Sequence, residues 1–111
     1  VASELHKEGI EAGVIDLHRI KPITKDFLLK CIQGYPQIVT MEEHLLAGGM
    51  GSAISEIFID EGITTPILRI GQDDKFVFDL GGRQAIWEAH GLDVAGVLKR
   101  IKEKLILPIA R

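Results

Sequence analysis

The stretch Ile38-Val39-Thr40-Met41-Glu42-Glu43-His44-Leu45-Leu46-Ala47-Gly48-Gly49-Met50-Gly51-Ser52-Ala53-Ile54-Ser55-Glu56-Ile57-Phe58 runs from an apolar segment through a polar stop and a glycine cluster into a helical pattern. Gln37 to Met41 reads as a short strand covered on both faces, as parallel strands of α/β proteins are. The run ends abruptly at Glu42-Glu43-His44. After Gly48-Gly49-Met50-Gly51-Ser52, a helix is expected to bury Ala53, Ile54, Ile57 and Phe58, to turn Glu56 and Asp60 outward, and to stop at Gly62. Strand, glycine loop and helix in that order form the repeating unit of a parallel sheet.

The flanking sequence continues the alternation. Upstream, residues 1–8 read as a helix with Ala2 and Leu5 inward, closed by Gly9. Val14 to Ile20 alternates like a strand until Lys21-Pro22, where proline cannot donate to a ladder. Thr24 is placed to cap a helix whose face is Phe27, Leu28, Cys31 and Ile32, followed by a turn at Gly34-Tyr35-Pro36. Downstream, Pro66 to Ile70 reads as a strand, residues 73–79 as an irregular connection, and residues 83–90 as a short helix ended by Gly91. Asp93 then caps a last helix with Val94, Val97, Leu98, Ile101 and Leu105 on one face and Leu92 stapled onto Val97. The pattern predicts a three-layer α/β/α domain with a mostly parallel sheet.

Composition narrows the function classes. A chain of 111 residues, 46% hydrophobic and 26% charged, fits one globular domain and is far from the signature of disorder. A net charge of −3, with Lys and Arg scattered, gives no footprint for nucleic acid. No apolar run approaches the roughly 18 residues that cross a bilayer, and the start lacks a signal-peptide layout. The single cysteine, Cys31, falls in an apolar pattern and reads as a small structural hydrophobe in a reducing cytoplasm.

Ligands of open parallel sheets gather beyond the carboxyl ends of the strands, which puts Glu42, Glu43, His44, Gly48, Gly49, Gly51 and Ser52 forward as the candidate site. Glycines let backbone approach a ligand closely, and the free N–H groups of the next helix favour an anion. The same glycines also suit a tight turn that packs the helix close to the sheet, and Gly48-Gly49-Met50-Gly51 matches neither the dinucleotide fingerprint nor the P-loop. Adjacent residues of an extended chain point to opposite faces, so Glu42, Glu43 and His44 cannot all converge on one ligand; a structural or interface role competes with acid/base or metal chemistry. His6, His18 and His90 lack metal-ligand spacing and read as solvated or locally bonded. Trp87 reads as core or interface area, and Arg69 and Arg83 either bind a phosphate or, as the default for a lone arginine, form surface ion pairs.

The order of these pieces resembles the C-terminal domain shared by transketolases, 1-deoxyxylulose-5-phosphate synthases and the E1 β-subunits of 2-oxoacid dehydrogenases. The resemblance rests on Gly9-Ile10, Val14-Ile15-Asp16-Leu17, Ile20-Lys21-Pro22-Ile23, Ile38 to His44, Gly48 to Ala53, Leu68-Arg69-Ile70-Gly71, Asp74-Lys75-Phe76 and His90-Gly91-Leu92-Asp93, and so spans nearly the whole chain. Glu42-Glu43-His44, Gly51-Ser52-Ala53 and His90-Gly91-Leu92-Asp93 look more like the first two groups than the third. The resemblance implies a structural, dimer-supporting domain of an enzyme that transfers two-carbon ketol units through thiamine diphosphate and a divalent metal. It implies that both are held by diphosphate- and pyrimidine-binding domains not encoded here, so that no catalytic, cofactor or metal residue is carried over. The isolated chain is expected to be inactive. Family members begin this domain with a strand that leads into the first helix, whereas Val1 already lies in that helix. The first strand is therefore expected to be missing from the N-terminus of a piece of a larger protein. A free-standing anion-binding or regulatory module, or an E1 β-subunit domain, is the alternative.

Overall fold

A computed structural model of the chain describes residues 1–17, 23–72 and 91–104, with the side chain of His44 left aside. The element order is α1 (Ala2–Lys7), α2 (Lys25–Ile32), β1 (Ile38–Leu45), α3 (Met50–Asp60), β2 (Ile67–Gln72) and α4 (Val94–Lys104). The described elements are helices and one parallel strand pair, which is the α/β class expected and is compatible with α/β/α layering. The readings of residues 18–22, 73–79 and 83–90, and of Leu105 onward, lie outside the described residues.

The chain divides into two compact units, Val1–Leu17 with Phe78–Arg111, and His18–Val77. In the first, α1 buries Leu5 and closes at Gly9, whose φ of +82° suits a residue without Cβ. There Gly9 N–H donates to the His6 carbonyl and Ile10 N–H to the Leu5 carbonyl, the paired bonds of a Schellman stop. On α4, Val97 and Ile101 are buried. Asp93 caps this helix as its sequence position implies, Oδ1 accepting from Gly96 N–H at 3.1 Å. Lys102 Nζ pairs with Glu8 Oε1 at 2.8 Å.

In the second unit, β1 and β2 pair in parallel, from Ile38 opposite Ile67 to Met41 opposite Ile70, and α3 crosses between them. Ile54 and Phe58 of α3 and Ile70 of β2 are buried, Ala53 and Ile57 are only half-buried where burial was expected, and Glu56 and Asp60 are exposed as the helical pattern requires. The α3 stop repeats that of α1, with Gly62 N–H on the Ile59 carbonyl and Ile63 N–H on the Phe58 carbonyl. Lys25 Nζ bridges to Glu61 Oε1 at 3.0 Å. The hydrogen bond to Glu61, and then its charge, raise the Lys25 pKa above the ordinary 10.5.

Several expectations need correction. Residues 14–17 form no strand, and Val14 and Ile15 are exposed. Alternation selects a face, but a strand also needs a ladder partner. Phe27 is exposed, because α2 buries Leu28 with Leu29, Cys31 and Ile32 partly covered, and residue 27 falls well round the helix from that centre. Thr24 is the N-cap of α2 as expected, though its side chain makes no capping bond. Val94 is exposed because a first-turn side chain leans back beyond the packed body of its helix. Finally, β1 continues through Glu42-Glu43-His44 to Leu45 instead of ending before them, and Met41, at 46% exposure, shows that it is not covered on both faces.

Candidate functional site

The site forms where β1 leaves the sheet and α3 begins. Between Met41, which faces Ile70, and Leu45, which faces Gln72, β1 carries Glu42, Glu43 and His44 opposite Gly71 alone, so the register shifts there. From this irregular segment the Glu42 side chain reaches the start of α3. Met50 N–H donates to Oε1 and Gly51 N–H to Oε2, each at 2.9 Å. Gly49 is the N-cap of α3 and, having no side chain, supplies no cap of its own. The first N–H groups of a helix lack intrahelical acceptors and sit at the positive end of its dipole. A carboxylate taking two of them makes charge-assisted bonds, the stronger kind.

The glycines are explained by this carboxylate. A Cβ on Gly49 would lie 2.1 Å from Glu42 Oε1 and 2.7 Å from the Leu45 carbonyl. One on Gly51 would lie 2.7 Å from Thr40 Oγ1, and 3.1 Å from both Arg69 Nε and Glu42 Oε2. Gly48 has open space but a φ of +74°, which side chains resist. Two glycines therefore serve close approach and one serves backbone shape.

Arg69, the β2 partner of Thr40, anchors the other side of the loop. Its Nη2 donates to the Leu46 carbonyl and, at 2.7 Å, to Ser52 Oγ, which itself donates to the Leu46 carbonyl at 2.7 Å. The expectation of a surface ion pair for Arg69 is thus corrected: the side chain is part-buried and holds loop backbone. Thr40 Oγ1 and Arg69 Nε are buried with no hydrogen-bond partner among the described residues.

The structure brings together Glu42, Gly49, Gly51 and Ser52, with Gly48 shaping the turn, and Glu43 is exposed on the strand. Sequence reasoning missed Thr40 and the role of Arg69. One signal was present: an arginine inside the apolar run Ile67-Leu68-Arg69-Ile70 must find polar partners where it is part-buried. Chemically, the site is a carboxylate, a guanidinium and a helix N-terminus locked together. The N–H groups of Met50 and Gly51, which the sequence alone would offer to an external anion, are engaged by Glu42. Among the described residues no cluster of three His, Cys, Asp or Glu side chains could hold a metal ion, and no helix is long and apolar enough to cross a membrane.

The transketolase C-terminal domain family matches residues 1–97. Over 107 residues the chain is 38% identical to a 1-deoxy-D-xylulose-5-phosphate synthase of Desulfitobacterium hafniense, covering 96% of this chain and 17% of that protein. The corresponding protein of Saccharophagus degradans is 41% identical over 98 residues, 88% of this chain and 15% of that protein. Among solved structures, a split-gene transketolase described as an inactive β4 tetramer superposes with a TM-score of 0.80 at 35% identity, covering 96% of this chain and 34% of that chain. The chain thus spans about 17% of the length of the synthase from Desulfitobacterium hafniense. With family, sequence and structure in agreement over most of its residues, the chain belongs to the transketolase C-terminal domain family.

Proposed function

We propose that residues 1–111 are the C-terminal structural domain of a thiamine-diphosphate-dependent enzyme of the 1-deoxy-D-xylulose-5-phosphate synthase or transketolase type. The domain supports dimer assembly and transfers nothing itself. The two-carbon ketol chemistry, the cofactor and its divalent metal belong to diphosphate- and pyrimidine-binding domains elsewhere in a larger cytoplasmic protein. The observation that carries this reading is the engagement of the glycine loop from within. A diphosphate needs free N–H donors, and Glu42 already accepts from Met50 and Gly51. The residues present therefore do not fit that group, and no catalytic step is derived through it. The same engagement counts against a free-standing phosphate-binding module.

In this reading the loop around Ala47 and Gly48, both exposed, is held rigid so that it can face a partner. The test is Ala47→Arg in the full-length protein, with dimer dissociation followed by analytical ultracentrifugation. The expected outcome is a dimer at least tenfold weaker, with thiamine diphosphate affinity per subunit retained. An unchanged dissociation constant would refute the interface role. Calorimetric binding of thiamine diphosphate to the isolated chain would refute the assignment of the cofactor to other domains.

A further inference from the structure

Four donors from three elements surround the space beside Gly51. Met50 N–H and Gly51 N–H of α3 bind the Glu42 carboxylate at 2.9 Å. Thr40 of β1, only 4% exposed, places Oγ1 2.7 Å from where a Gly51 Cβ would be, and Arg69 of β2 places Nε 3.1 Å from the same point. Neither atom has a partner among the described residues. One full positive charge and the positive end of an 11-residue helix add to these donors. Glu42 therefore fills a seat with more donors than it uses.

We propose that this seat is a carboxylate receptor which the chain occupies with its own Glu42, and which takes a free short aliphatic carboxylate of the acetate class when that side chain is withdrawn. Size sets the class: the part of Glu42 beyond Cβ is a methylene and a carboxylate, the same four heavy atoms as acetate. The missing Cβ atoms of Gly49 and Gly51 leave the carboxylate oxygens their places, whereas the close approach of Thr40, Arg69 and the Leu45 carbonyl leaves little room for a tetrahedral oxyanion. Glu42 is only half-buried, so the seat opens to solvent along its side chain.

The test is Glu42→Ala in the full-length protein, melted in sodium acetate and in sodium chloride of equal ionic strength. Acetate at several times its dissociation constant is expected to raise the variant's melting temperature saturably by about 5 °C, with no such difference in the unsubstituted chain. Adding Arg69→Met to the variant should abolish the rise. Equal rises in both chains, no acetate-specific rise in Glu42→Ala, or an equal rise with phosphate would each overturn the proposal. Should Glu42→Ala be unfolded in chloride, recovery of its circular dichroism in acetate supports the receptor and failure to recover refutes it.

Discussion

The starts of α3 and α4 solve one problem in two ways. Each puts a carboxylate on first-turn backbone N–H, one group at α4 and two at α3, and each needs a glycine where a Cβ would collide. At α4 the carboxylate is Asp93, three residues before the Gly96 amide it accepts from, and a Gly96 Cβ would lie 2.6 Å from the Gly91 carbonyl. At α3 it is Glu42, eight and nine residues before the amides of Met50 and Gly51, and it arrives from the irregular end of β1. A local cap ties a helix to its own entry turn. The remote one ties helix to strand, so its loss loosens two elements and the loop between them.

That contrast orders the expected effects of substitution. Gly49→Val should do most damage, because its Cβ would meet both the Glu42 carboxylate and the Leu45 backbone, forcing the carboxylate off its N–H pair. We expect a loss of about 3 kcal/mol or more in urea unfolding; a loss below about 1 kcal/mol would mean that the loop has slack that the close approach does not show. Glu42→Ala removes two charge-assisted bonds and leaves the Met50 and Gly51 N–H groups without their acceptor, for an expected loss of about 2 to 3 kcal/mol.

Asp93→Ala removes one local cap and should cost about 1 kcal/mol. If unfolding curves put it level with Glu42→Ala, the distinction between remote and local capping has no energetic content. Thr40→Val should come last, at about 0.5 kcal/mol or less in either direction, since replacing a buried hydroxyl that has no partner with a methyl removes a desolvated polar group. A large loss there would reveal a partner for the hydroxyl.

The same contrast explains what was legible in the sequence. Asp93 could be assigned because cap and helix are contiguous, and the stops at Gly9 and Gly62 because a glycine after a helical pattern is a local signal. The Ile54 and Phe58 face of α3 follows from periodicity alone. The glycine cluster was visible, but its cause was not. Gly49 and Gly51 are fixed by Glu42, Thr40 and Arg69, which converge through a register shift and a cross-strand pairing that no local pattern encodes. Phe27 and Val94 were misplaced because an apolar residue marks a face only to within the width of a short helix. Val14 to Ile20 was read as a strand from alternation, which says nothing about a neighbour, and its described part, residues 14–17, forms none.

Amide exchange would turn the reach of Glu42 into a clock. First-turn amides of a helix ordinarily trade their hydrogens with water quickly, since no carbonyl of the helix accepts from them and fraying exposes them. Here the Met50 and Gly51 hydrogens sit on Glu42 oxygens, so their exchange waits for the carboxylate to let go. Two amides at a helix end, where protection is normally least, therefore report how often β1 and α3 part company, on a timescale separate from that of the helix itself.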